Sequence, residues 1–231
     1  QLGFLPNNRP NIKGYAFYDY YEPAQSVGGD YFDYVPLRNK HMAIAAADVA
    51  GKGIPAALLM ARLYSAARFH LLTQPTVAKA MTGLNREIAS SGLGYRFITC
   101  VIAVLDPKNH QLTIANAGHM PPLLRHINGV VEPVAKDVGG LPLGVLPDQT
   151  FEEAVVPLKP GDTFVSFTDG ITEAMNAANE LYTVRSLSRY LSTGPKTPED
   201  LVKGLIQDVE QFCDSRAQSD DMCLVCLQRE V

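Results

Sequence analysis

The chain has no Lys/Arg-rich run, and its 20 basic against 24 acidic side chains leave a formal charge of −4. So mild an acidic balance offers no electrostatic footprint for nucleic acid or an anionic membrane surface, and neither is expected as a partner. No apolar stretch approaches the ~18 residues needed to span a bilayer, and the N-terminus lacks the basic flank and small-residue cleavage site of a signal peptide. Cysteine is scarce. Cys100, Cys213, Cys223 and Cys226 show no paired spacing suited to a disulfide framework, which fits a reducing compartment. A cytoplasmic protein is expected. The sequence begins at Gln1 rather than at a methionine, which reads as a piece excised from something longer or processed.

There is no internal repeat, low-complexity segment or break in composition. With 231 residues the chain can bury a substantial core, and residues 1–231 read as one domain. Strands are expected at Tyr15 to Tyr21, Tyr31 to Leu37 and Met42 to Val49, read together as a meander. Gly53-Ile54-Pro55 opens a helix over Ala56 to Leu72, followed by a second over Val77 to Ala89. Strands resume at Phe97 to Leu105, Gln111 to Asn116 and Leu123 to Ile127, with Asn128-Gly129 turning into Val130 to Val134. Phe151 to Val156 and Asp162 to Thr168 flank the turn Lys159-Pro160-Gly161. Helices at Val184 to Leu191 and Pro198 to Asp214 precede a last strand, Met222 to Gln228. Runs of strands interrupted by helical pairs argue for an α+β fold of two antiparallel sheets covered by helices.

Four short stretches place aspartate at the border of an apolar strand: Gly28-Gly29-Asp30, Asp48-Val49-Ala50-Gly51-Lys52-Gly53, Thr168-Asp169-Gly170 and Ser219-Asp220-Asp221. In neighbouring antiparallel strands the end of one and the start of the next share a rim, so these carboxylates can meet. Gathered carboxylates repel one another and resist desolvation, and a cation resolves both costs. Hard oxygen donors favour Mg²⁺ or Mn²⁺. Taken singly, an aspartate beside a glycine marks a turn, which is a sufficient account of Asp106, Asp137 and Asp162. It does not account for four such sites that all abut apolar strands.

Two other motifs fail on physical grounds. Cys223-Leu-Val-Cys226-Leu-Gln-Arg229 has the spacing of a thiol phosphatase loop, but strand residues three apart face opposite sides, and no glycine is present to wrap backbone N–H groups around a phosphate. Gly51-Lys52-Gly53 lacks the upstream glycine and the hydroxyl residue of a nucleotide-binding loop. Lys52 reads as a solvated turn lysine that could still meet a phosphoprotein.

Six motifs occur in order: Val-Gly-Gly-Asp30-Tyr-Phe-Asp33, Asp48-Val-Ala-Gly-Lys-Gly-Ile-Pro-Ala-Ala57, Asn116-Ala-Gly-His-Met-Pro-Pro-Leu-Leu124, Gly140-Leu-Pro-Leu-Gly144, Phe-Thr-Asp169-Gly-Ile-Thr-Glu-Ala174 and Ser-Asp220-Asp-Met222. Together they resemble the SpoIIE-like bacterial branch of the metal-dependent (type 2C, PPM) protein serine/threonine phosphatases. The resemblance implies an αββα sandwich with two Mn²⁺ or Mg²⁺ ions in the cleft at the sheet edges. Asp48 would bridge the ions with help from the Val49 carbonyl, Asp30 would lie beside one, Asp169 and Asp220 would hold the other, and Asp33 and Asp221 would be outer-shell groups. It further implies hydrolysis of phosphoserine or phosphothreonine by a metal-bridging water, with an anti-sigma-factor antagonist as substrate. An upstream sensor domain would act through an N-terminal linker, or a homodimer would form; Phe4 and Leu5 offer an apolar contact that either docks that linker or, as core residues, tacks down the terminus. His119 lies in a Gly-His-Met-Pro-Pro turn and reads as a loop-fixing residue. Cys223 stands where the family often has threonine, removing a hydroxyl that could orient Asp220, and no arginine lies between Asn11 and Val27 to grip phosphate. A catalytically weak protein-binding scaffold is the alternative, and a two-metal nuclease is disfavoured by the lack of a basic stripe.

Overall fold

The computed structural model describes residues 1–90, 96–214 and 216–231. Eleven strands and five α-helices follow one another as β1 (Tyr15–Glu22), β2 (Tyr31–Pro36), β3 (Met42–Val49), α1 (Ile54–Thr73), α2 (Val77–Ala89), β4 (Ile98–Asp106), β5 (Gln111–Ala117), β6 (Leu123–Arg125), β7 (Val131–Pro133), β8 (Gly139–Gly140), β9 (Ala154–Pro157), β10 (Thr163–Phe167), α3 (Asp169–Thr172), α4 (Thr183–Thr193), α5 (Pro198–Cys213) and β11 (Met222–Arg229). One sheet runs β1-β11-β10-β6-β7, and the other runs β2-β3-β4-β5-β8 with β9 on β5. Helices α1 and α2 cover the second sheet and α4 and α5 the first, so the αββα sandwich implied by the sequence is the observed architecture.

Residue alternation decides what each strand offers to which layer. On β11, Cys223, Val225 and Leu227 join the core between the sheets, whereas Met222, Leu224 and Cys226 pack toward α4 and α5. On β2, Phe32 and Tyr34 meet the β1 rings of Tyr21 and Phe17, while Tyr31 turns to Tyr64 of α1. Helix α1 begins with proline in its first turn, and α5 begins at Thr197, whose Oγ1 accepts the Asp200 N–H at 3.2 Å.

Two connections differ from the sequence expectation. The first three strands are not a meander: β1 pairs with β11, while β2 and β3 pair with each other in the opposite sheet. Similarly, the Lys159-Pro160-Gly161 turn joins no hairpin, because β9 pairs with β5 and β10 with β11 and β6. A local turn signal marks where the chain bends and leaves open which sheet it enters. Among the described residues no helix is long and apolar enough to cross a membrane. At the N-terminus Leu5 is buried in the core, and the Phe4 ring lies 5.3 Å from that of Tyr64 on α1.

Candidate metal centre

The last registered pair of β2 and β3 is Tyr31 with Ala47, so Asp30 and Asp48 stand opposite each other one step further on, both on the face toward the other sheet. From that other sheet, β10 delivers Asp169 at its end and β11 receives the chain from Asp220 and Asp221 at its start. Five carboxylates therefore share one edge of the sandwich.

Glycine makes this approach possible at two positions. A β-carbon on Gly28 would run into the Asp221 carboxylate and lie 2.6 Å from the Tyr21 hydroxyl oxygen; one on Gly170 would run into the Asp221 backbone carbonyl. The Val49 carbonyl oxygen comes close to the same loop, 3.0 Å from where a Gly29 β-carbon would stand.

Charge shows how closely the group is drawn together. Burial, then the Asp48 charge, pushes the Asp30 carboxyl well above the usual carboxylate range. Burial, then the charges of Asp169 and Asp220, raises Asp48 to about 7. Asp169 is raised by burial and by Glu173 and Asp220. Among the described residues no three of these groups close on a common point as a finished ligand shell. The fold gathers the carboxylates at one rim, where neighbouring charges help raise Asp30, Asp48 and Asp169. An all-oxygen donor set crowded with negative charge fits a hard divalent cation.

The remaining polar groups have separate tasks. Asp221 ties the Gly28-Gly29-Asp30 loop down by accepting the Ala24 N–H at 2.8 Å and the Gly29 N–H at 2.5 Å. Thr168 Oγ1 donates to Asp30 Oδ2 at 2.6 Å. Lys52, read from sequence as a solvated lysine, places its ammonium 2.9 Å from Asp220 Oδ2 and donates to the Ser219 carbonyl at 2.6 Å. His119 is held in its turn by paired bonds with Asn116 at 2.8 and 3.0 Å, and its Nδ1 lies 2.9 Å from Thr99 Oγ1. Burial pushes its imidazole down to about 4, so it is neutral at pH 7. Its Nε2 is buried with no hydrogen-bond partner among the described residues.

Asp33 is the correction to the expected set. Three residues along β2 from Asp30, it points to the opposite face, where Arg68 of α1 donates to its two oxygens at 2.7 and 2.8 Å and Tyr31 adds a third bond at 3.0 Å. Fully buried and saturated, it anchors α1 and takes no part in the rim cluster. Thr168 and Arg68 were missed by sequence reasoning. Counting alternate residues back from Thr168 through Ser166 to Phe164 places Thr168 on the inner face; Arg68 carried no comparable signal.

A family model described as stage II sporulation protein E (SpoIIE) matches residues 38–230. The chain belongs to the SpoIIE family. Asp48, Asp169, Asp220 and Asp221 lie inside the SpoIIE match, and Asp30 lies before it, so Asp30 joins the cluster on geometry. The phosphoserine phosphatase RsbU of Bacillus subtilis (strain 168) is 31% identical over 212 residues, covering 90% of this chain and 62% of RsbU. The SiaA-PP2C domain of Pseudomonas aeruginosa shares the fold with a TM-score of 0.82 at 20% identity, over 92% of this chain and 85% of that one. RsbX, solved in complex with magnesium, gives 0.72 at 17% identity, over 95% and 97% of the two chains. The chain spans 40% and 62% of the lengths of two curated relatives that it matches.

Proposed function

We propose that this chain is the catalytic domain of a metal-dependent phosphoprotein phosphatase acting on phosphoserine or phosphothreonine. The observation that carries the reading is the meeting of Asp30 and Asp48 from one sheet with Asp169, Asp220 and Asp221 from the other, with Asp30, Asp48 and Asp169 all held above their ordinary pKa. Asp30, Asp48, the Val49 carbonyl, Asp169 and Asp220 would hold two Mn²⁺ or Mg²⁺ ions. A divalent pair, when bound, supplies Lewis-acid activation of water for in-line attack on phosphorus and neutralises the phosphoryl oxygens.

The side chains divide the remaining work. Asp48, at the centre of the cluster, faces carboxylates of both sheets. Asp221 fixes the loop that carries Asp30. Asp220 is 45% exposed and opens the site to solvent, where the side chain of a folded phosphoprotein can reach it. Lys52 sets a positive charge beside that opening, suited to a phosphate. His119 is buried, neutral at pH 7 and bonded through Nδ1 to Thr99, the residue paired with Asp48 across β3 and β4.

Likeness to RsbU and to RsbX with its magnesium supports this class of substrate and cofactor. The proposed substrate is a signalling protein of the anti-sigma-factor antagonist type. The contact of Phe4 with α1 supports control by an upstream sensor through an N-terminal linker or by dimerisation, and four free cysteines suit a cytoplasmic setting. Turnover of p-nitrophenyl phosphate and of a phosphoserine protein, each with Mn²⁺ and with EDTA, tests the reading. Cation-dependent hydrolysis reversibly lost in EDTA is expected. Mn²⁺ binding without turnover would leave a scaffold domain, and cleavage of added nucleic acid would point to a nuclease.

A further inference from the structure

Thr168 is the residue by which one sheet holds a carboxylate of the other. It extends β10 by one step on the inner face and is fully buried. Its backbone N–H donates to the Cys223 carbonyl at 3.0 Å, and its Oγ1 accepts the Cys223 N–H at 3.0 Å. Thr168 is thus pinned to β11 at both ends before its hydroxyl proton is used. That proton has two acceptors in reach, Asp30 Oδ2 at 2.6 Å and the Cys223 carbonyl at 3.4 Å. The short, charge-assisted bond to the carboxylate is the stronger.

We propose that Thr168 is the positioning residue of the centre: its hydroxyl, oriented by the Cys223 amide, commits Asp30 Oδ2 and so turns Oδ1 toward the cluster as the oxygen left for a cation. This rests on the reading of the rim cluster as a divalent-cation centre. Three facts support it. A β-branched side chain has few rotamers, so the hydroxyl direction is set by the strand. The bond joins β10 to the loop before β2, so Asp30 keeps its place relative to Asp169, which directly follows Thr168. The donor that orients the hydroxyl is a backbone amide, so it survives any side chain at 223.

The test is a calorimetric Mn²⁺ titration of the parent chain, Thr168→Val, Thr168→Ser, Asp30→Asn and the Thr168→Val/Asp30→Asn double variant, alongside p-nitrophenyl phosphate turnover. Removing a group that orients a metal ligand costs about 10–100-fold in affinity, and that loss is expected for Thr168→Val. Thr168→Ser, which keeps the hydroxyl, should recover at least tenfold of it. In the Asp30→Asn background the valine should add little, because its effect runs through Asp30. Parental Mn²⁺ affinity in Thr168→Val, serine failing to recover affinity, or a full additive loss in the double variant would each overturn the proposal. Should Thr168→Val not fold, Thr168→Ser decides: affinity near the parent's supports the proposal, and a tenfold loss overturns it. A parent chain that binds Mn²⁺ with this Thr168 dependence but hydrolyses no phosphoester overturns the phosphatase reading and leaves Thr168's role intact.

Discussion

The Lys52 ammonium stands 2.9 Å from Asp220 Oδ2, on a rim carboxylate that is 45% exposed to solvent. A tethered cation there competes with a dissolved one. Lys52→Gln should therefore tighten Mn²⁺ binding. The pair is half-exposed and worth no more than about 1 kcal/mol, so the gain is bounded at about fivefold. Calorimetry at low salt reads it. Weaker binding in the variant would mean that Lys52 assists the cation rather than opposes it.

In the cation-free protein Asp48 holds its proton up to about pH 7, whereas an unfolded chain releases it near the ordinary carboxylate value of about 3.9. Between those values the folded state binds more protons than the unfolded state, so this group's contribution to stability declines as pH rises through the window. Asp48→Asn should gain on the parent in urea midpoint from about pH 4 to pH 7 in EDTA, and saturating Mn²⁺ should reverse the order at neutral pH. A constant difference across that range would show that Asp48 is not desolvated and crowded as described.

Arg68→Ala should cost about 3 kcal/mol, because it leaves Asp33 buried with no counter-charge, and it should leave Mn²⁺ affinity as in the parent. Urea unfolding and calorimetry separate the two effects. A variant that folds normally but loses cation binding would return Asp33 to the centre.

Burial pushes the thiols of Cys100 and Cys226 up to about 12 and raises that of Cys223 as well, leaving only Cys213 part-exposed. Native protein should react rapidly with one equivalent of alkylating agent and keep its turnover, while denatured protein takes four. Rapid native labelling of Cys223 with loss of activity would reopen the thiol chemistry rejected from the sequence.

The rim aspartates were legible because strand ends are local features: apolar runs stop where Asp48 and Asp169 begin to be needed, and antiparallel geometry brings such ends together. Asp33 was placed wrongly although the same alternation rule that separates Cys223 from Cys226 also separates Asp33 from Asp30. Its neighbour Arg68 comes from α1, and only the packing of that helix on the sheet reveals the pair. The strand positions were nearly all readable, but β1 beside β11 is a pairing of residues some two hundred positions apart, and no local signal specifies it. The four-residue helix α3 that follows Thr168 is too short to leave a periodic trace.

Whether Asp48 and Asp169 from opposite sheets jointly hold the cations that hydrolysis requires is decided by Mn²⁺ titration and phosphoprotein turnover of Asp48→Asn and Asp169→Asn, with circular dichroism as the check on folding. Each variant should fold, lose at least one bound Mn²⁺ and lose nearly all turnover. A folded variant with the parent's Mn²⁺ stoichiometry, affinity and turnover would contradict that joint role.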